Sequence, residues 1–554
     1  MPQQINLRIG GMTCAHCAEH VTQALQAVPG VQAVELPGWR SPSATVVAAD
    51  AVSPEELTAA VHAAGYAATV EAQVPARRSP HQPAGETEKL DFDLLVIGGG
   101  SGGFAAAIAA SDLGKRVGMI NAGTIGGTCV NVGCIPSKTL IRAAAAWHTA
   151  GHHPFAGVHT TQVSLDWATV RREKDALVAG MRQSKYVDVL AAYPDIQFME
   201  GQAEFTPDGA VQVGTQTYRA DRTVIATGAR PRIPPIPGLA EAEPLTSTTL
   251  MDLETLPQSL IILGGRAVAL ELGQTMARLG VKVLLLQRSH SLVPDHEPEI
   301  GRAIQEYLEQ EGVGVLTGVQ IEQVRRSGDQ RTVTARLMGQ RREFQAEQIL
   351  AALGRRPNTD GLGLERVGVQ VDESGAIHVN EFQQTTNPAI YATGDVTTNP
   401  EYVYVAAAGG ALAARNALNG SPQPFDLSAL PGVIFTSPQI ATVGLTEAQA
   451  RRQGYTVTTQ TLPLEYVPRA QAARDTRGLI KLVAEETSGR ILGVHVLAVE
   501  GGEVIQTGTL AVKLGLKLTD LTETLFPYLT QVEGLKLAAL SFAKDITKLS
   551  CCTA

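Results

Sequence analysis

No stretch of the 554-residue chain approaches the roughly eighteen consecutive apolar residues that a membrane-spanning helix needs. The opening, MPQQINLRIGG, also lacks the basic-then-apolar order of a secretory leader. Blocks of like charge are missing as well. With 45 basic against 54 acidic residues the net charge is −9, which leaves a nucleic-acid or anionic-membrane partner without electrostatic support. The expectation is a cytoplasmic protein that handles small ligands. Cysteine is sparse, six residues in all, yet none stands alone: Cys14 lies near Cys17, Cys129 near Cys134, and Cys551 beside Cys552. In a large chain of a reducing compartment, local pairs point to metal binding or redox catalysis over structural bridges. The last pair is a poor staple, because neighbouring Cα atoms sit about 3.8 Å apart, short of the roughly 4.4 to 6.8 Å an unstrained disulfide spans. Two adjacent soft sulfurs suit a soft metal ion instead, the bland alternative being a frayed end with idle thiols.

Length alone predicts about three or four domains of roughly 150 residues. In the first of them INLRIGG reads as a strand, Val21, Leu25 and Val28 share a helical face, and VQAVEL and ATVVA alternate as strands do. A second helix opens with Ser53 as N-cap, Pro54 at the first helical position and Glu55 and Glu56 in the first turn, then stops at Gly65 before the strand AATV. The order βαββαβ is that of a ferredoxin-like module. GMTCAHC feeds the first helix, so Cys14 and Cys17 lie at a helix N-terminus, where the dipole favours the thiolate that metals bind. Taken alone, CxxC fits a redox pair or half of a zinc site equally well. With its Gly-Met-Thr context and this fold order, the segment resembles the heavy-metal-associated domain. That resemblance implies a soft-ion carrier over residues 1–71, with Cys14 and Cys17 as ligands and His16 as a solvated loop residue. Residues 72–90 hold three prolines and no apolar period. They are expected to form a flexible linker with an end-to-end distance of about 25 Å, which gives effective concentrations near millimolar.

FDLLVIGGGSGG sets a buried strand, Leu94 to Ile97, directly before Gly98-x-Gly100-x-x-Gly103 and a helix. That is the context in which such glycines seat a dinucleotide pyrophosphate on the helix N-terminus. The next strand, VGMIN, ends in Asn121, where an acid usually holds the adenosine ribose; Asn can still hydrogen-bond a hydroxyl, without the charge. SLIILGGRAVALELG repeats the pattern in degraded form: Gly264 takes the first glycine position, Arg266 replaces the second and Ala269 the third. The strand after it ends in Gln287 followed by Arg288. No acid is present there for an NAD ribose and an arginine is available for a 2′-phosphate, so NADPH is expected, with a mere surface arginine as the rival. Between the two motifs lies GGTCVNVGCIPSK. Five residues of ideal helix turn the chain by about 140° and raise it roughly 7.5 Å, so Cys129 and Cys134 could bridge only across a distorted helix start, which Gly133 eases.

A CxxxxC shortly after a dinucleotide fold resembles the pyridine nucleotide-disulfide oxidoreductases, the family of glutathione reductase and dihydrolipoamide dehydrogenase. The resemblance implies FAD, with Cys134 facing the flavin as charge-transfer thiol and Cys129 as the exchanging thiol. It makes Lys138 a candidate for the basic side chain near the isoalloxazine, a solvated helix lysine being the alternative. Asp395 in IYATGDV would hold the ribityl chain, Glu271 would sit near nicotinamide and flavin, and Gly127, Thr128, Thr227, Gly228 and Val403 would add flavin contacts. ATGARPRIPPIPG, from Ala226, is the crossing between domains. The fold then expected is α/β and α+β: a ferredoxin-like metal-binding domain (1–71), the linker (72–90), two Rossmann-like dinucleotide-binding domains (FAD, 91–235 and 356–430; NADPH, 236–355) and a C-terminal dimerisation domain (431–554).

Reductases of disulfide substrates lend a His-Glu pair from the C-terminal domain to the partner subunit's active site. Here LFPYLTQVEG keeps Glu533, but the histidine position falls on Tyr528. A phenol with an ordinary pKa near 10 is a poor proton shuttle at neutral pH, which argues against a disulfide substrate. Tyr528, the Cys551-Cys552 tail, the metal-carrier module and CVNVGC together resemble the mercuric reductase family over essentially the whole chain. The resemblance implies a homodimer with active sites at the subunit interface and Hg(II) as substrate in thiol complexes. The metal would pass from Cys551 and Cys552 of the other subunit to Cys129 and Cys134, with Tyr186 and Tyr528 lining its pocket; for Tyr186 core packing is nearly as good a reading. Two alternatives differ in class. A dihydrolipoamide dehydrogenase-like enzyme should show the histidine and prefer NADH, and a soft-metal chaperone would leave the nicotinamide fold unexplained.

Overall fold

The computed structural model describes residues 2–12, 15–36, 43–49, 52–75, 90–160 and 164–548. The chain divides into two compact units, Met1–Lys89 and Leu90–Ala554.

In the first unit four strands form an antiparallel sheet in the order Val31–Glu35, Ser43–Ala49, Pro2–Gly10, Ala67–Pro75. The helices Ala15–Gln26 and Pro54–Ala63 complete the expected βαββαβ order. Ile5, Leu7 and Ile9 alternate onto one face of the central strand, where they bury Val21 and Leu25 of the first helix and Leu57 and Val61 of the second. Ser53 closes a capping box: its Oγ accepts the Glu56 N–H (3.2 Å) and its own N–H donates to Glu56 Oε2 (2.8 Å). Such a pair satisfies two orphan donors of the helix start. The last strand runs to Pro75, so the first four residues of the expected linker are paired backbone, with Val74 opposite Gln4 and Pro75 opposite Gln3. An edge strand needs only a backbone ladder, which leaves no apolar period to read.

The second unit contains three sheets of consequence. A parallel sheet in the order Ile390–Ala392, Ala220–Ile225, Phe92–Ile97, Val117–Asn121, Ile196–Glu200 carries the first dinucleotide motif. Its central strands are buried on both faces, which explains their unbroken apolar runs. The helices Ser101–Ser111 and Val403–Leu418 pack closely through small residues, among them Ala106, Ala110, Ala413 and Ala414. A second parallel sheet, Gly314–Leu316, Lys282–Leu286, Ser259–Leu263, Gln348–Ala351, carries the second motif. It is inserted in the chain between the Ala220–Ile225 and Ile390–Ala392 strands of the first.

The third sheet is antiparallel, in the order Gly432–Ile434, Gln439–Gly444, Ile491–Ala498, Leu479–Glu485, Val457–Pro463. Buried Lys481 joins it to the second dinucleotide domain, with Nζ 2.9 Å from Glu297, 3.1 Å from Glu447 and 3.2 Å from Glu299. Burial opposes the charge of Lys481, but these carboxylates hold its pKa above the usual value. No helix among the described residues is long and apolar enough to cross a membrane.

Candidate active site

Gly98 has φ 122°, and a Cβ there would lie 2.2 Å from the Ala226 carbonyl oxygen; at Gly103 it would lie 1.9 Å from that of Gly98. Only glycine permits so tight a strand-to-helix turn. The helix that follows starts at Gly100 without any side-chain cap, which leaves its first N–H groups available to a phosphate. Gly127 stands close against Gly100, within 2.7 Å of the Gly100 Cα for a Cβ built on it. These features fit a flavin dinucleotide. Asn121 is already engaged by the turn: its Oδ1 accepts the Gly99 N–H (3.0 Å) and its Nδ2 donates to the Gly123 carbonyl (2.5 Å). Across the sheet, Thr227 Oγ1 donates to the Asn358 carbonyl (2.8 Å) and the Gly228 carbonyl accepts the Asn358 N–H (2.9 Å), which fixes the crossing between domains. Asp395 sits in the Gly394–Val396 turn, 3.1 Å from Arg355, whose guanidinium also binds the Ala229 carbonyl (2.7 Å) and pairs with Glu401 (3.3 Å). Val403 opens the next helix. Arg355 left no signal in the sequence, since the contact spans 40 positions.

The Gly127–Val132 and Cys134–Gly151 helices are separated by Gly133, whose φ of −127° and ψ of −112° break the ideal five-residue geometry. Thr128 and Cys129 lie on the first helix and Cys134 begins the second. Both cysteines are free, half-buried thiols that hydrogen-bond to each other. The S–H of Cys129, donated to Cys134, is the largest influence on that sulfur. Burial opposes it and the Lys138 charge assists, and Cys134 is pulled down to about 7. The same hydrogen bond, with burial, holds the Cys129 thiol well above its ordinary value. Near neutral pH Cys134 is therefore about half thiolate while Cys129 stays a thiol, with the anion at a helix start that favours it.

One turn after Cys134, Lys138 Nζ lies 2.6 Å from Glu271 Oε2 and 4.7 Å from the Phe435 ring centre. Glu271 is buried, and its other oxygen accepts the Phe435 N–H (2.9 Å). One carboxylate thus ties the cysteine helix, the helix of the second dinucleotide motif and the chain just past the Gly432–Ile434 strand of the C-terminal sheet. Lys138 and Glu271 were legible in the sequence; their pairing and the part of Phe435 were not. Tyr186 occupies a π turn, Gln183–Val187, at the end of the Trp167–Arg182 helix. Its hydroxyl is 3.1 Å from Ser101 Oγ, and its ring meets Phe104 edge-on at 4.9 Å. Burial raises its pKa, and both cysteines lie within electrostatic reach of it. Single π turns of this kind recur at functional sites.

The second dinucleotide turn repeats the first, with Gly264 at φ 126° and Ala269 buried. Arg266 occupies the N-cap of the Ala267–Arg278 helix and pairs with Asp295. Gln287 is buried beneath the turn, where it accepts the Arg288 N–H (3.1 Å). Arg288 is exposed, and its guanidinium pairs with no carboxylate among the described residues.

Tyr528 and Glu533 belong to the C-terminal layer. Tyr528 is 53 % exposed in one chain. Glu533 begins the Glu533–Leu540 helix, and its Oε2 is buried without a hydrogen-bond partner among the described residues. Burial raises its pKa, the Leu529 N–H working the other way. In the first unit Cys17 is half-buried in the first turn of the Ala15–Gln26 helix. Cys14, Cys551 and Cys552, like the His16 side chain, lie outside the described residues.

A family model described as pyridine nucleotide-disulphide oxidoreductase matches residues 92–410, its dimerisation domain matches 430–539, and a heavy-metal-associated domain matches 6–67. A mercuric reductase of Staphylococcus aureus is 43 % identical over 544 residues, 98 % of either chain. One from Streptomyces lividans is 48 % identical over 467 residues, 83 % of this chain and 98 % of its own. Among solved structures, the HOCl-induced flavoprotein disulfide reductase RclA from Escherichia coli superposes with a TM-score of 0.74 at 29 % identity, over 82 % of this chain and 100 % of that one. With its glycine turns, paired cysteines and C-terminal sheet so matched, the chain belongs to the mercuric reductases of the pyridine nucleotide-disulphide oxidoreductase family, which works with a flavin and a nicotinamide cofactor, and bears a heavy-metal-associated domain at its N-terminal end.

Proposed function

We propose that the protein reduces Hg(II) to Hg(0) at the expense of NADPH, with FAD as its flavin and Cys129 and Cys134 as the ligands of the metal during reduction. The observation that carries this is the thiol–thiolate pair held across the Gly133 break beside the Lys138–Glu271 pair. When bound, the nicotinamide and flavin supply the two electrons that the metal accepts. The chain's residues do the rest. Cys134, about half ionised near neutral pH, and Cys129, which gives up its proton on binding, clasp the soft ion between two sulfurs. Tyr186 covers the pair from the side of the flavin turn.

Lys138 keeps a positive charge beside the sulfurs, and Glu271 fixes where that charge stands. Asp395, held by Arg355, is a charged acceptor for the ribityl hydroxyls. Arg288, whose guanidinium pairs with no carboxylate among the described residues, favours NADPH over NADH. In the dimer, Tyr528 and Glu533 of one subunit close the site of the other. The exposed Leu510, Leu514 and Leu525, on and after the Gly501–Lys513 helix, support this pairing of C-terminal domains. Cys551 and Cys552 receive Hg(II) from solution thiols, and Cys14 and Cys17 carry it on the tethered first unit.

The test is anaerobic oxidation of NADPH with Hg(II) in excess thiol while volatile mercury is trapped. Equal amounts of NADPH consumed and Hg(0) released are expected. Oxidation driven only by a dithiol's disulfide, with NADH preferred, would replace the proposal by a dihydrolipoamide dehydrogenase-like activity. Tight Hg(II) binding without oxidation would leave a metal carrier.

A further inference from the structure

The second dinucleotide turn departs from the first at two of its three glycine positions, Arg266 standing for the second and Ala269 for the third, and the former carries a charge. Gly100 begins the helix of the first turn, whereas Arg266 begins the helix of the second. Its backbone is extended (φ −111°, ψ −171°), so the side chain causes no strain, and it is 64 % exposed. Among the described residues its guanidinium pairs with one carboxylate, that of Asp295. Asp295 stands on a firmly placed loop: the Val293 N–H donates to the Gly265 carbonyl of the turn itself (3.0 Å), the His296 N–H donates to the Val293 carbonyl (3.0 Å), and Glu297 is buried against Lys481. The loop therefore holds a carboxylate at the mouth of the turn, and Arg266 spans from the helix start to reach it.

We infer that Arg266 is the pyrophosphate ligand of the nicotinamide dinucleotide and that Asp295 is its counter-ion in the nucleotide-free protein. The inference rests on the reading that this turn takes the nicotinamide cofactor, and not on Hg(II) as substrate. A helix start supplies only about half a positive charge, against the two negative charges of a pyrophosphate. A guanidinium supplies a full charge and a planar fork that matches phosphate oxygens bidentately. It replaces the close backbone approach that a second glycine would have given. Asp295, a single carboxylate in an exposed pair, holds Arg266 only weakly and yields it to the phosphates. The two arginines then divide the nucleotide between them: Arg266 grips the part that NADPH and NADH share, and Arg288 reads the 2′-phosphate that only NADPH has.

The experiment uses the oxidised, flavin-loaded dimer, with NADP+ and NAD+ titrated by calorimetry and 2′-AMP, which lacks the pyrophosphate, titrated alongside. Arg266→Ala should weaken both dinucleotides by about 10- to 100-fold, leaving their ratio and the 2′-AMP affinity unchanged. Arg266→Lys should fall between. Asp295→Asn should tighten both dinucleotides when Arg266 is present, and by clearly less in the Arg266→Ala background. Unchanged affinities in Arg266→Ala, or a loss confined to NADP+ and 2′-AMP, would overturn the assignment. The same titrations on Arg288→Glu report on the NADPH preference separately, so that its failure leaves the Arg266 result standing.

Discussion

Removing the Cys129 sulfur tests what sets the charge on Cys134. In the structure the S–H of Cys129 is the strongest influence on its neighbour, with Lys138 second among the favourable ones and burial opposed to both. Glu271, 2.6 Å from Lys138, works against that lysine, and is the smallest of these influences. Cys129→Ala deletes the donor while leaving burial, Lys138 and the helix start in place. A free cysteine titrates near 8.5, and Cys134 is held at about 7. The donor's loss should therefore raise the midpoint toward the free value, by about 1.5 units, worth about 2 kcal/mol between the two protonation states. At pH 7 the thiolate fraction would fall from about one half to about 3 %. The assay is the rate of Cys134 alkylation in the dithiol-reduced enzyme as a function of pH, with the thiolate–flavin absorbance followed in parallel. Lys138→Gln should also raise the midpoint, by less. A midpoint that stays near 7 in Cys129→Ala would refute the reasoning and assign the thiolate to Lys138 and the helix start.

Arg288→Glu should reverse or flatten the preference for NADPH, read as the ratio of kcat/KM for the two nucleotides; an unchanged ratio would show that this arginine is not the phosphate reader. A chain lacking residues 1–89 should keep turnover with abundant small thiols and slow when thiol is scarce or Hg(II) is protein-bound, and loss of all activity in a folded, flavin-loaded truncation would contradict this. Replacing Cys551 and Cys552 by alanine should spare flavin binding and its reduction by NADPH while sharply lowering turnover of thiol-bound Hg(II). A mixed dimer of one subunit without Cys134 and one without the tail should regain roughly one working site if the tail acts across the interface, and none if it acts within its own chain. Lys481→Ala should cost about 3–5 kcal/mol in denaturant unfolding, because it strands buried Glu297 without its cation; a loss under 1 kcal/mol would mean the cluster relaxes with water.

What the sequence disclosed is what spacing encodes. The capping box of Ser53 and Glu56, the glycine turn after Leu94–Ile97 and the helix break at Gly133 each lie within a few residues, so their chemistry is written locally. The pairing of Lys138 with Glu271 spans 133 positions, and that of Glu271 with Phe435 spans 164. Neither has a local signature, and only the stacking of three sheets brings them together. Lys481 with its three glutamates is hidden for the same reason. The π turn at Tyr186 was not legible because one extra residue in a helical turn leaves the apolar pattern almost unchanged. Asn121 shows a third limit: its place at a strand end was plain, while its inward engagement with Gly99 and Gly123 depends on the exact path of two turns.

The insertion of the second dinucleotide domain into the first has a consequence for how the protein is made. The Ala220–Ile225 strand gains its outer neighbour only when Ile390–Ala392 is synthesised. The helix that packs on Ser101–Ser111 follows later still, at Val403–Leu418. At about 5 to 20 residues per second on the ribosome, the chain between Ile225 and Ile390 takes roughly 10 to 30 s to emerge. During that interval the inserted domain, whose strands are contiguous in the chain, can close on itself, while the earlier half waits with a bare apolar edge. Such an edge is a template for pairing with other nascent chains. Slower delivery of Ile390–Ala392 by translation is therefore expected to lower the yield of active protein.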